Sequence, residues 1–356
     1  MNMLYADVDG HIGQVQAVRL PSRPIDGVSA DVVQPPEILD PVWERLVDAT
    51  SLPALEDPEI GYVASSNNRP PEGDVRIGLV FSTDDRIDRL GALMKRRKEF
   101  RIDDLGRMQR DVYMAASVDL RDRFVAAIED LELSGRMSAE QAELLRWVRN
   151  WDGYYHSYSR GALAYELLRR EFCLRYYAPV DRDGHSAFTD IVGIERMIEG
   201  DLDTDRSARM RDALLGGLRA AVGPWNEFED WGDAHRLTFV HPFAIIPFIG
   251  DRYRFGAFKV GGAVQTLAKA GHNPLGEDFH PSHGATARFL SDLSDPDGNL
   301  GVIVSGQDGW IGSENFLDQA EGFLRGQYLP MPLSLDEVRR RSAHVHEFVP
   351  GSAGER

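Results

Sequence analysis

Apolar positions recur at two different spacings along this chain, and the change from one to the other marks out its organisation. At the start, Leu4-Tyr5-Ala6 and Val15-Gln16-Ala17-Val18 flank Asp9-Gly10, a tight-turn pair, which predicts a strand–turn–strand unit. Residues 20 to 80 are broken by Pro21, Pro24, Pro35, Pro36, Pro41, Pro53, Pro58, Pro70 and Pro71, so regular elements there must be short. A spacing of three and four then takes over. Ser82 is placed to cap a helix through Ile87, Leu90 and Leu93-Met94. Asp103 or Asp104 opens a second, continued by Leu105, Met108, Val112 and Met114-Ala115. Ser138-Ala139-Glu140-Gln141 has the form of a capping box ahead of Leu144, Leu145 and Val148, and residues 157 to 177 and 205 to 221 also read as helices. Beyond residue 237 short strands return at Leu237–Val240, Ala287–Leu290 and Leu300–Val304, with helix again through Phe316-Leu317 and Leu335–Val338. The chain therefore divides into a strand and loop segment (1–80), a helical region (81–235) and terminal strands and helices (236–356). Helices inserted between strand-forming regions predict an α+β fold, with one sheet built from sequence-distant parts.

Composition and charge narrow the function classes. At 356 residues and 42% hydrophobic, the chain has ample material for a core. Lys plus Arg number 40 against 57 Asp plus Glu, a formal charge of −17. Such a surface repels phosphate backbones and anionic lipid, which excludes nucleic acid and membrane as expected partners. The longest apolar stretch near the middle, Phe243–Ile249, contains Pro247 and is far shorter than the roughly 20 residues a bilayer span needs. The lone Cys173 cannot form an intrachain disulfide and reads as a packing residue. No basic-then-apolar leader precedes the first hairpin, so expression as written predicts a cytoplasmic chain, and the abrupt start predicts a truncated one.

Tests for catalytic and ligand motifs leave little. There is no Gly-x-Gly-x-x-Gly, phosphate loop or Gly-x-Ser-x-Gly elbow. His280-x-x-His283 and His344-x-His346 lack a helical metal frame and read as solvated or capping histidines. Asp295-Pro296-Asp297-Gly298 lacks the closing Glu of a calcium loop and reads as a turn. Asp201-Leu202-Asp203-Thr204-Asp205 reads as a solvated loop and helix cap, and Trp151-Asp152-Gly153 as a helix end that buries its indole.

An ordered series of short segments carries more. Asn2-Met3-Leu4-Tyr5-Ala6-Asp7-Val8-Asp9-Gly10-His11-Ile12-Gly13 resembles the Asn-x-x-Tyr-Ala-Asp-x-x-Gly-Asn-Ile-Gly segment of the penicillin acylase family, with His11 in place of the usual Asn. Pro21-Ser22-Arg23 follows it, then Gly61-Tyr62-Val63-Ala64-Ser65-Ser66-Asn67-Asn68-Arg69-Pro70. Asp85-Arg86-Ile87, Met108-Gln109-Arg110-Asp111 and Trp151-Asp152-Gly153 come next. His235-Arg236-Leu237, His241-Pro242, Gly261-Gly262, Gly284-Ala285-Thr286-Ala287-Arg288 and Ser305-Gly306-Gln307-Asp308-Gly309 close the series, the last where the family usually carries Gly-Gln-Ser-Gly.

The resemblance implies the αββα sandwich of N-terminal-nucleophile hydrolases, present in part, with a large helical insertion. It implies hydrolysis of N-acyl amides, such as β-lactam side chains or N-acyl-homoserine lactones, to a carboxylic acid and an amine. In the family a Ser, Thr or Cys freed by precursor cleavage attacks the carbonyl and its own α-amine acts as base. Asn2 matches the oxyanion-hole asparagine and Arg23 the arginine near the nucleophile amine; Asn67 and Asn68 match a substrate-side pair that either organises backbone near the site or serves structural packing. Gln307, His235 and His241 read as structural. The matching nucleophile lies upstream of the first segment, so the resemblance implies a proximal chain of the same precursor as partner, or a remnant without activity. No cofactor is implied for the chemistry. The family's structural calcium is held mostly by upstream sequence and is not expected here. Export to the periplasm or beyond is the family's habit.

Overall fold

The computed structural model describes residues 2–22, 33, 35–71, 75, 77–78, 81–177, 191–276 and 278–348, with the backbone alone for 191–194. The elements in order are β1 (Asn2–Ala6), β2 (Ile12–Gln16), α1 (Pro36–Trp43), β3 (Leu55–Glu56), α2 (Asp85–Met94), α3 (Ile102–Met108), α4 (Ala115–Asp130), α5 (Ala139–Asn150) and α6 (Arg160–Tyr176). They continue as α7 (Ile191–Thr204), α8 (Ala208–Glu227), α9 (Trp231–Ala234), β4 (Arg236–Val240), β5 (Arg254–Lys259), β6 (Ala270–Gly271), β7 (His283–Gly284), β8 (Ala287–Leu290) and β9 (Leu300–Ile303). The series ends with α10 (Ala320–Arg325), β10 (Leu329–Pro330) and α11 (Leu335–Arg341). The mixed class agrees with the α+β expectation.

The chain forms two compact units, residues 1–99 with 107–285, and residues 100–106 with 286–356. The first holds the sheets β1-β2-β3, β4-β5 and β6-β7; the second holds β10-β9-β8. All pairings are antiparallel. Strands from the two ends of the chain do not share one sheet among the described residues. Each sheet instead pairs strands from the same end.

In the larger unit α6 is the centre. Gly161–Arg170, Phe172 and Cys173 are buried, as expected of a helix enclosed on every side. Gly217 of α8 lets that helix approach closely, since a Cβ there would sit 3.1 Å from the Phe172 backbone nitrogen. Leu144, Leu145 and Val148 of α5 join Leu163 and Leu167 in the core, and Trp151 stacks on Tyr165 with ring centroids 4.9 Å apart. Ser138 and Gln141 make the predicted capping box, with Gln141 N–H donating to Ser138 Oγ at 3.2 Å and Ser138 N–H to Gln141 Oε1 at 2.7 Å. Cys173 packs in this core, where burial pushes its thiol up to about 12.

Three helix expectations change, one of them at Phe316-Leu317, where the chain stays in turns until α10 begins at Ala320. Ser82 does not cap α2, which begins at Asp85 with no side-chain cap. The helix expected from residue 103 to 115 is two, α3 and α4, because Asp111 accepts from Tyr113 N–H at 3.1 Å and the segment bridges to Tyr154. Among the described residues no helix is long and apolar enough to cross a membrane.

An ion pair lies within α6. Arg169 Nη2 donates to Glu166 Oε2 at 2.5 Å, and Tyr155 O–H donates to Glu166 Oε1 at 2.6 Å. Ser117 Oγ lies 2.9 Å from the Tyr155 hydroxyl, and His272 Nε2 lies 3.6 Å from Glu166. Burial pushes the Glu166 carboxyl upward, but Arg169, His272 and Tyr155 together outweigh it and hold the group down to about 2. Burial of either charge without the other is costly. Arg169→Met should therefore destabilise the fold by about 3–5 kcal/mol in urea unfolding. A carboxylate held below its ordinary 4.5 stabilises above that value and loses its contribution as pH falls toward 2. Glu166→Gln should accordingly show a flatter loss of stability between pH 4.5 and 2 than the parent chain; equal slopes would show that the pair does not set acid stability.

Candidate active site

The first segment of the resemblance is a hairpin. Tyr5 of β1 pairs with Gly13 of β2, and a Cβ on Gly13 would lie 2.1 Å from the Tyr5 ring, so only glycine lets the ring cross β2 there. The turn between them is held by Asp7, whose Oδ1 accepts from Asp9 N–H at 3.0 Å and His11 N–H at 2.9 Å. His11, the departure from the family pattern, pairs with Asp57 just past β3 at 2.7 Å, while Asp57 Oδ1 accepts from Ile12 N–H at 2.9 Å. The carboxylate of Asp57 raises the His11 imidazole above its ordinary value. The substitution thus ties the hairpin to the third strand.

Asn2 opens β1, the edge strand of this sheet among the described residues. Its Nδ2 donates to Ser65 Oγ at 2.6 Å, joining residues 63 apart in sequence. Ser65 belongs to a tight loop. Asn67 has φ +65°, a left-handed conformation that asparagine tolerates better than most residues. Asn68 Oδ1 accepts from Ser66 N–H at 3.0 Å, and its Nδ2 donates to the Arg69 carbonyl at 2.9 Å. Asn67 Oδ1 accepts from Arg86 Nη2 at 3.0 Å, and Asn67 O accepts from Ser82 N–H at 3.0 Å.

Arg86, half-buried on α2, is the hub of this loop. Its Nη2 also donates to the Ser66 carbonyl at 2.5 Å and to Ser82 Oγ at 3.2 Å, and its Nε to Gln265 Oε1 at 3.2 Å. Ser82 closes the loop rather than capping the helix. One turn along α2, Arg89 grips Asp111 in two parallel bonds of 2.9 and 2.6 Å and reaches Tyr154 Oη at 3.2 Å. Tyr155 N–H donates to Val112 O at 2.9 Å, Gly262 N–H to Tyr155 O at 2.8 Å, and Trp231 Nε1 to Gly262 O at 3.0 Å. His235 stacks on Trp231 at 4.5 Å, with its ring nitrogens 3.1 Å from the Val260 and Ala270 carbonyls. Burial first, then the neighbouring His272, push His235 down to about 3, so its ring is neutral and structural. The Asp85-Arg86, Asp111, Trp151-Asp152-Gly153, His235 and Gly261-Gly262 segments therefore meet in one folded region.

Of the residues singled out in the sequence, Asn2, Asn67 and Asn68 lie on or beside this loop, and Arg23 lies outside the described residues. A carboxamide NH2 carries two donors; one of Asn2's is engaged by Ser65, and the group is neutral. Asn67 and Asn68 direct the side-chain bonds above to the loop itself. Ser65, Arg86 and Gln265 carry the arrangement and were not singled out. Arg86 stands within a matching segment, but its bond to Gln265 spans 179 residues, which no local pattern records. Among the described residues no group of three His, Cys, Asp or Glu is placed to hold a metal. In the smaller unit a hollow of about 350 Å³ is lined by Gln307, Asp308, Asn315, Asp318 and Gln319.

Comparison with known proteins gives this geometry a context. The penicillin amidase family model matches residues 1–340. Penicillin acylase 2 proenzyme of Pseudomonas sp. (strain SE83) is 24% identical over 366 aligned positions, covering 98% of this chain and 46% of its own length. Acyl-homoserine lactone acylase QuiP of Pseudomonas fluorescens (strain Pf-5) is 24% identical, covering 87% of this chain and 41% of its own. This chain thus spans less than half the length of these relatives. A thermostable penicillin G acylase from Alcaligenes faecalis has the same fold, with TM-score 0.58 and 13% identity over 98% of this chain and 67% of that one. With a family model matched from the first strand to α11, the chain belongs to the penicillin amidase family of acylase-type amidohydrolases.

Proposed function

We propose that this chain carries the oxyanion-binding part of an N-acyl amide hydrolase whose nucleophile comes from a further length of polypeptide outside residues 1–356. The observation that carries the reading is the Asn2 carboxamide, a neutral donor on an edge strand, fixed by Ser65 at 2.6 Å and backed by the Arg86-held loop. The greater length of the relatives supports the second part.

In the complete enzyme a Ser, Thr or Cys at a new amino terminus attacks the amide carbonyl carbon, and its α-amine takes the nucleophile's proton. Negative charge gathers on the carbonyl oxygen, where the Asn2 Nδ2–H donates without bringing a charge that would repel it. Collapse of the tetrahedral species breaks the C–N bond and passes the proton to the leaving amine; water then releases the carboxylic acid. Asn67 and Asn68 serve by shaping the loop on the substrate side, and Arg23 by holding the nucleophile's amine. Substrates are small N-acylated amides, either β-lactams with an acyl side chain or N-acyl-homoserine lactones. No cofactor enters this chemistry.

The purified chain alone should not turn over an acylated chromogenic anilide, and measurable turnover would sink the two-part reading. Co-expressed with a proximal acylase segment bearing the nucleophile, it should gain activity. In that complex Asn2→Ala should lower kcat about a hundredfold with little change in KM. Ser65→Ala should produce a smaller loss in kcat, and an Asn2→Ala enzyme with unchanged kcat would remove Asn2 from the oxyanion site. Complexes that form but stay inactive would favour a non-catalytic remnant.

A further inference from the structure

The loop joining β4 to β5 presents the longest mid-chain apolar stretch to solvent. Phe248 is 107% exposed, Ile245 88% and Phe243 51%, with Ile246 and Ile249 also exposed. The loop is ordered rather than slack. Two short 3-10 turns, Pro242–Ile245 and Gly250–Tyr253, shape it. Gly250 N–H donates to Ile246 O at 2.9 Å and His241 N–H to Tyr253 O at 3.0 Å. A Cβ on Gly250 would lie 2.2 Å from the Ala244 carbonyl, so that turn closes only on glycine. Phe243 packs edge-on against Tyr253 with centroids 5.5 Å apart. Phe248 is held at φ +68°, a region that bulky residues seldom occupy.

A strained backbone that holds an aromatic ring fully in water stabilises nothing within the chain. It does preorganise a convex apolar tip, which lowers the ordering cost of insertion into a pocket. The tip lies inside the span matched by the family model, and the relatives carry more than as much polypeptide again as the part this chain matches. A formal charge of −17 disfavours anionic lipid as the occupant, and the hollow lined by Gln307 and Asp318 is too polar to receive Phe248 from a second copy.

We infer that the Phe243–Ile249 tip is a docking element that seats in an apolar pocket of the acylase's proximal polypeptide. The inference rests on the two-part reading above. Its anchors are Phe248, an aromatic ring of the kind that dominates interface energetics, and Ile245, which adds apolar area beside it.

The test co-expresses the full chain with the parts of the Pseudomonas sp. penicillin acylase 2 proenzyme and the Pseudomonas fluorescens QuiP acylase that lie outside their matched spans. A photo-crosslinking p-benzoylphenylalanine replaces Phe248, and a separate Ile245→Ser, Phe248→Ser variant reads affinity. Because both side chains are exposed, the double variant should keep the parent's melting temperature. The expected result is a crosslink to the proximal segment and at least about tenfold weaker association of the double variant. A complex that forms with unchanged affinity and no crosslink overturns the docking element while leaving the two-part enzyme standing. No complex with either segment overturns the two-part reading, and the docking element with it. Crosslinks between two copies, or flotation with phosphatidylcholine vesicles that the double variant loses, would assign the tip to self-association or to lipid and overturn the proposed occupant.

Discussion

A carboxylate and a guanidinium sealed inside α6 constrain the rest of the larger unit. Neither Glu166 nor Arg169 can be buried alone, so the groups that complete their shell must arrive in fixed positions. Tyr155 and Ser117 come from the segment around α4 and α5, and His272 from beside β6. From Tyr155 the contacts run on through Val112 and Asp111 to Arg89 on α2, one helical turn from Arg86. Arg86 holds the Ser66-Asn67 loop, and Ser65 holds Asn2. The edge-strand carboxamide is thus joined by hydrogen bonds, short stretches of backbone and one helical turn to the buried Glu166–Arg169 pair.

The site's own chemistry is quieter than its frame. Its presented donor is neutral, and the charged groups nearby are spent on structure: Arg86 on the loop, Arg89 on Asp111, Asp57 on His11.

Much of this could be read from the sequence where the signal was local. The capping box at Ser138, the apolar spacing of α5, the helix expected over 157–177 and the strand Ala287–Leu290 all appear as expected, because each is decided by residues within a turn or two of one another. Helix through Phe316-Leu317 does not form. Asp308 and Ser313 side chains there accept from the Trp310 and Asn315 N–H groups, turns that compete with helix, and α10 starts only at Ala320. Ser82 looked like a cap for the same reason that makes it useful elsewhere: a small hydroxyl satisfies whichever donor the fold brings to it. The Leu-Leu-Arg-Arg-Glu run of α6 reads as helix and no more, since nothing local shows that Arg169 has a buried carboxylate one turn away and a cover of other elements. The position of Asn2 came from a resemblance, but its fixing by Ser65 needed the fold.

The hairpin that begins the chain brings one further consequence. Met3, Leu4 and Tyr5 are exposed on both sides of β1, and that strand's outer edge is unpaired among the described residues. An open edge with apolar side chains on both faces is the template on which identical chains stack. The usual remedy in protein engineering is a charged residue or proline on the edge. Here either one would move the backbone that aims Asn2 at Ser65, so colloidal stability and the placing of that carboxamide are coupled through the same five residues.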